Sequence, residues 1–590
     1  MFEVCKARLL PIITLCAALL LAGCGEEGNR ETPDADGGVV LVTVDALRPD
    51  LVSTFGGEIE LPALDRLASS GTVYHEVLTV TPMTRPALAT LLTGLAPTDH
   101  RVLDDVNDRL GPTWRTVAEV ARDDDRATAA FVSTPMASWS SGLNRGFELF
   151  HGPDEVLIGP ARYFPEPDPG VEVAETFATW LESLGTDRPF FAWVHLADLH
   201  GVASNTPTPG FRDYQDAVPN LDPAIASILY AVEARSMAGP VEILVVGTHG
   251  TLVHGEGAAP AASFWLSPET LRVPLIRARF EDGTAADGAG EDRGRRWLPD
   301  VHATLLEMVG GSREASKEGV PLSEPASRVA ARERFAWTWA TDDELAWPTL
   351  TAVETDGDIR VFTLDELTGE TGGAADPVLE VARQRAAVPR DRRLTEETRN
   401  RIGEAGFALG DGEYRPPVPS GEERDTILRD LELLKHHFAE ERARRAAKMT
   451  GRVLEQHPDN FAYLVYRFYL MVGAGETVAS EPLQVDLLER FPLRQESLHW
   501  AAHRESLLDD PRRAEILFRA ALEVGPAEAE IEYDLACALA LQGETQAALD
   551  QLKVAIGAGY RNWQWIESDS DLVSVRADPD YAKLMRSHRP

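Results

Sequence analysis

Val39-Val40-Leu41-Val42-Thr43-Val44 is an unbroken apolar, β-branched run that stops at a charged residue, Asp45. Such a run reads as a strand buried on both faces of a largely parallel sheet. Three similar runs follow: Ala129-Ala130-Phe131-Val132, Phe190-Phe191-Ala192-Trp193-Val194 and Val241-Glu242-Ile243-Leu244-Val245-Val246. Helical patterns lie between them, among them residues 61–70 and 85–92. Strand-helix alternation predicts an α/β fold with a doubly wound, mostly parallel sheet and ligands at the carboxyl ends of its strands. This region is expected to span 38–385 and to close with two strands, 350–354 and 359–364.

A chain of 590 residues is long enough for about three domains. Its Lys and Arg total 57 against 95 Asp and Glu, a net charge of −38. That excess argues against nucleic acid as a partner, because gripping phosphates needs clustered cations. The four cysteines, Cys5, Cys16, Cys24 and Cys537, are too few and too scattered for a disulfide framework or a cysteine zinc site.

The first residues read as an address. Lys6 and Arg8 precede an apolar stretch from Leu9 to Ala22, shorter than the ~20 residues a membrane-crossing helix needs. Leu21-Ala22-Gly23-Cys24 resembles the lipobox of bacterial lipoproteins. The resemblance implies a signal peptide over 1–23 and lipid on Cys24, which anchors the chain in the cell envelope through membrane lipid. Gly25 after Cys24, with no Asp there, points to the outer membrane, on its periplasmic side. Residues 24–37 read as a flexible tether.

Residues 386–425 interrupt the α/β pattern, with the cluster Pro416-Pro417-Val418-Pro419, and read as a linker with a short helix. Residues 426–590 are helical and periodic. Pro458, Pro492 and Pro526 are 34 residues apart, as are Leu454, Leu488, Leu522 and Ile556, and Gly475 and Gly543 differ by 68. This period resembles tetratricopeptide repeats, an all-α solenoid of helical hairpins. The resemblance implies a groove for a protein or peptide partner, or an array that only rigidifies the chain. His436 and His437 fall on a polar helix and are expected to be solvated.

The residues suited to chemistry stand where strands end. Asp45 follows the first strand; His195, Asp198 and His200 close the third; His249 follows the fourth, with His254 beyond it. Thr84 opens a helical stretch, where threonine is also a favoured cap. Side chains from several strand ends converge in one crevice. A carboxylate with imidazoles suits zinc, manganese or iron, whereas calcium prefers oxygen. His195 is equally read as a histidine bonded within the sheet.

The stretch 39–50 resembles the opening strand of sulfatases, in the alkaline-phosphatase-like superfamily. Thr84-Arg85-Pro86-Ala87-Leu88-Ala89-Thr90-Leu91-Leu92-Thr93-Gly94 is similar to their nucleophile segment. Trp193 to His200 looks like their strand ending in Asp-Pro-His, and Thr248-His249-Gly250 like their Asp-His-Gly. The resemblance implies a divalent metal ion (zinc, manganese or calcium) held by Asp45, His249 and Asp198. It makes Thr84 the attacking group, with His200 and His254 completing the catalytic set on a small anionic ester. Matching His254 requires a two-residue deletion.

The departures are equally specific. Thr84 cannot be the cysteine or serine oxidised to formylglycine, Thr248 replaces a carboxylate, Ala46 stands where many sulfatases carry a second one, and Leu88 replaces a basic residue. One acidic side chain gives a divalent ion little Coulomb energy against its dehydration. Two readings follow: a metal-dependent hydrolase of sulfate or phosphate esters at the envelope, its metal weakly held or absent, and a catalytically inactive platform with the same fold.

Overall fold

The computed structural model describes residues 37–588 except 107, 154–166, 200–210, 235–238, 253–262, 287, 313–316, 330–331, 356, 369–376, 388–389, 413, 420, 440–442 and 527. The expectations for the leader, the tether up to 36, Cys24, His200 and His254 lie outside the described residues. Among the described residues no helix is long and apolar enough to cross a membrane.

Twelve strands are described: β1 (Gly38–Val44), β2 (Thr72–Leu78), β3 (Ala127–Val132), β4 (Leu149–His151), β5 (Phe190–Leu196), β6 (Val241–Gly247), β7 (Leu275–Glu281), β8 (Thr284–Ala285), β9 (Gly290–Trp297), β10 (Arg334–Thr338), β11 (Leu350–Thr355) and β12 (Asp358–Thr363). The main sheet runs β4-β3-β5-β1-β6-β7-β2-β9, with β8 beside β7. Pairings among β4, β3, β5, β1 and β6 are parallel, as is β2 with β9; only β7 runs against its neighbours. A second, antiparallel sheet follows the order β10-β11-β12.

The burial of β1 explains its unbroken apolar run. Val39 and Leu41 join the core under the helices Thr84–Thr93 and Leu298–Met308. Val40, Val42 and Val44 join the opposite core, under Pro62–Ser70, Gly170–Ser183 and Asp222–Glu233. Side chains alternate faces along a strand, so helices on both sides leave β1 no polar face. In register, Val44 stands opposite Leu196 and Gly247. The ladder continues one step further, with Asp45 N donating to Leu196 O (2.9 Å) and Thr248 N to Val44 O (3.0 Å). The residues following three strands therefore open at one level.

The C-terminal part is helical. Helices begin at Phe461, Gln495, Ala529 and Trp563, each 34 residues after the last, and hairpin partners begin at Pro511, Thr545 and Pro579 at the same step. Gly475, Asp509 and Gly543, again 34 apart, all have positive φ (76°, 57° and 80°). Each turn therefore needs a left-handed residue, which aspartate tolerates better than most. His437 is buried, not solvated as its polar neighbours implied. Its helix packs against another part of the chain, which the local charge pattern does not register.

The two parts are joined firmly. Met83, Phe264, Ala340, Leu345 and Trp347 share an apolar cluster with Ile427, Leu431, Leu434, Tyr463 and Tyr466. The helical part thus reaches within one residue of Thr84. In the connecting segment, a helix spans Glu396–Glu404, and its Ile402 lies in the helical core. Arg390 donates to Asp104 (2.7 Å), Asp108 (2.6 Å) and Asp343 (3.1 Å).

Candidate active site

Three elements bring the expected residues together. Asp45 ends β1, Thr84 is the first residue of the helix Thr84–Thr93, and Thr248 and His249 follow β6. Thr84 Oγ1 donates to Asp45 Oδ2 across 2.7 Å and lies 3.2 Å from His249 Nε2. It does not cap its own helix: Met83 occupies that place and makes no side-chain cap bond. The Thr248 hydroxyl donates to the other oxygen, Asp45 Oδ1. His249 Nδ1 faces the Gly250 carbonyl at 2.7 Å, which can only accept, so this nitrogen carries a proton and Nε2 turns towards Thr84.

His195 plays both parts read for it. Trp193 Nε1 donates to Thr43 Oγ1 (2.9 Å), which lies 2.8 Å from His195 Nδ1. His195 Nε2 lies 3.5 Å from Asp45 Oδ2. Asp45, Thr84, Thr248 and His195 are each 0% exposed, and His249 is 2% exposed. This is a sealed polar knot.

Asp198 has a different task. Its Oδ1 accepts from Gly170 N (2.9 Å), in the first turn of Gly170–Ser183, where the positive helix end favours a carboxylate. Gly170 is needed there, since a Cβ would meet Asp198 Oδ2 at 2.3 Å. Burial raises the Asp198 pKa, partly offset by that N–H. Asp198 anchors this helix, and among the described residues it forms no group of three closely spaced metal-ligating side chains with Asp45.

The divalent ion does not fit the described residues. No group of three metal-ligating side chains that includes Asp45 has its ligand atoms within 4.8 Å of one another. Both Asp45 oxygens already hold hydroxyl donors, and among the described residues no second carboxylate joins Asp45 in a ligand group for a doubly charged ion. Neither Arg85 nor Leu88 places a cation beside Thr84. Leu88 lies in the apolar core. Arg85 turns away, donating to the carbonyls of Met136 (2.7 Å), Val106 (2.7 Å) and Asp108 (2.9 Å). A cleft of about 420 Å³ lies at the far end of the same helix, lined by Thr93, Trp114, His302 and Lys317, and does not include Asp45.

Residues 38–310 match the family model described as Sulfatase. Over that span the α/β region is similar to sulfatases. Solved structures similar to the chain include BT1596, a 2-O GAG sulfatase (16% identity, TM-score 0.42, covering 59% of this chain and 90% of that one). Another is BT4656 in complex with its substrate D-glucosamine-2-N,6-O-disulfate (12%, 0.42, 56% and 91%). A third is a protein in the alkaline phosphatase superfamily from Vibrio parahaemolyticus (15%, 0.42, 56% and 77%). No curated protein matches the chain.

Within the sulfatase-like region, Ala46 has an unusual backbone for alanine. Its φ of 57° is left-handed, a conformation that costs alanine roughly 1 kcal/mol and that aspartate or asparagine adopts more readily. Its carbonyl accepts from the Tyr214 hydroxyl at 2.5 Å, which holds the turn.

Proposed function

We propose that this chain is a lipid-anchored envelope protein that keeps the sulfatase fold as a binding platform without ester turnover, its helical repeats serving as a tetratricopeptide-type docking array. One observation carries the reading: Asp45, the acidic side chain bonded to Thr84 among the described residues, is fully buried with Thr84 and Thr248 bonded to its two oxygens. A working site needs that carboxylate open to an ion and that hydroxyl open to an ester. The partner is a protein or peptide at the repeats, and membrane lipid holds the chain through Cys24.

The purified chain is assayed on 4-nitrophenyl sulfate, 4-nitrophenyl phosphate and bis(4-nitrophenyl) phosphate with zinc, manganese or calcium. The expected rate equals that of Asp45→Asn. Turnover that disappears in both Asp45→Asn and Thr84→Ala overturns the proposal.

A second reading, a metal-dependent hydrolase of sulfate or phosphate esters with Thr84 attacking, draws on the orientation of His249. Its Nδ1 is fixed by a carbonyl and its Nε2 is aimed at Thr84, the arrangement in which a histidine serves as a ligand. The same assay separates the two.

A further inference from the structure

In the helical part, His499 and His503 stand four residues apart on Gln495–Leu507, so both project from one face. Asp534 lies on the neighbouring helix Ala529–Leu541. The offset of 35 residues from His499 is close to one repeat, so the two positions face each other across adjacent hairpins. His499 Nε2 is 3.1 Å, and His503 Nε2 2.9 Å, from the same oxygen, Asp534 Oδ2. One ligand atom from each residue lies within 4.8 Å of the other two.

We propose that His499, His503 and Asp534 form a binding site for a divalent transition-metal ion, zinc by its chemistry. Tetrahedral zinc with bonds of about 2.0–2.1 Å spaces its ligand atoms about 3.3 Å apart. The imidazole-to-carboxylate separations fall short of that by only a few tenths of an ångström, so a small opening of the rings seats the ion. Two imidazoles and one carboxylate exclude calcium and magnesium as preferred occupants. The fourth position goes to water or to Glu530, which stands one turn before Asp534 and acts electrostatically on His503.

The surroundings suit the task. The side chains of His499, Asp534 and His503 are 7%, 16% and 30% exposed, which is enclosed yet reachable from solvent. Burial alone would raise the Asp534 pKa, but the His503 charge and hydrogen bonds from both imidazoles hold it below the ordinary carboxylate value. Trp500 packs against both rings, at centroid distances of 5.0 Å from His499 and 4.9 Å from His503, and Phe518 closes on both from another side. An ion here would clip two adjacent hairpins together and stabilise the array by mass action.

The full chain, purified in detergent and stripped with chelator, is titrated with zinc chloride by calorimetry and with cobalt chloride by visible absorption. The expected result is one equivalent of zinc, a cobalt spectrum of tetrahedral intensity, and a change in Trp500 fluorescence on binding. His503→Gln, at the most exposed of the three positions, keeps a polar side chain and is expected to weaken zinc by at least roughly tenfold. Asp534→Asn is expected to do the same, and Asp45→Asn to change nothing. Circular dichroism checks that each variant folds. Absence of stoichiometric zinc, or zinc binding unchanged in both His503→Gln and His499→Gln, overturns the proposal and leaves these residues an ion pair. Zinc lost in Asp45→Asn but kept in His503→Gln overturns it too, and contradicts the platform reading separately.

Discussion

The hydroxyl of Thr84 donates to the carboxylate of Asp45 across 2.7 Å, and neither side chain is reached by solvent. In this arrangement, Thr84 contributes a hydrogen bond to a buried charge. Removing the donor leaves part of that charge unsatisfied, which costs about 1–3 kcal/mol. Thr84→Val, nearly the same shape, is therefore expected to lower the unfolding free energy by about that amount. Urea denaturation with the slope held constant measures it. An unchanged midpoint would mean that the hydroxyl is not bonded to Asp45.

Thr248→Asp places a second carboxylate against the first in a site without solvent. Like charges this close cannot both ionise cheaply, so the metal-free variant is expected to lose about 3 kcal/mol or more. Zinc or manganese should return much of that loss, because two carboxylates and His249 then face one ion. Thermal unfolding with chelator and with added ion tests this. The wild-type chain should show no ion effect attributable to this site.

Two buried histidines set an acid limit on the α/β region. Burial lowers the His302 pKa to about 4, despite its bond to the Leu91 carbonyl, and the His100 pKa to about 3. Both folded values lie below the ordinary value of 6.5, so below that pH the unfolded chain binds protons the folded chain refuses. Stability is therefore present above pH 6.5 and falls as the pH drops towards 4. At one pKa unit per 1.36 kcal/mol, His302 alone removes about 2–3 kcal/mol between pH 7 and 4.5. The His302→Gln variant should show a shallower loss over that interval, and an identical slope would contradict the assignment.

Arg390 stands among Asp104, Asp108 and Asp343, and these charges raise its pKa against the opposing effect of burial. Taking the guanidinium away removes the cation shared by Asp104, Asp108 and Asp343, of which Asp343 keeps Arg392, at the joint of the two parts. Arg390→Met is expected to destabilise the chain by about 3–5 kcal/mol. It should also separate the unfolding of the α/β part from that of the repeats, visible as two calorimetric transitions where the wild type has one.

Much of this architecture was legible in the chain. The run 39–44 gave away a central strand because it is covered on both faces, and the 34-residue step reappears in the helix starts. The turn at Asp509 escaped notice, because aspartate does not announce a left-handed residue as Gly475 and Gly543 do. The convergence of Asp45, Thr84 and His249 was readable from strand ends. That Thr248 would bond to Asp45 was not, because the substitution signals only the loss of a ligand. The anchoring of Asp198 by Gly170 depends on a helix start 28 residues earlier, and the His499, His503 and Asp534 cluster on packing between hairpins. Local pattern carries neither. The spacing His-x-x-x-His within 499–503 was the one signal available for the latter.

The central claim is that Asp45 and His249 hold no ion. Crystals soaked in excess zinc and in excess manganese, with anomalous scattering recorded at each metal edge, test it at the atoms concerned. The account predicts no anomalous peak between these two side chains, with Thr84 and Thr248 still bonded to the carboxylate. A peak at about 2.0–2.2 Å from both an Asp45 oxygen and His249 Nε2 would contradict it and restore the case for hydrolysis.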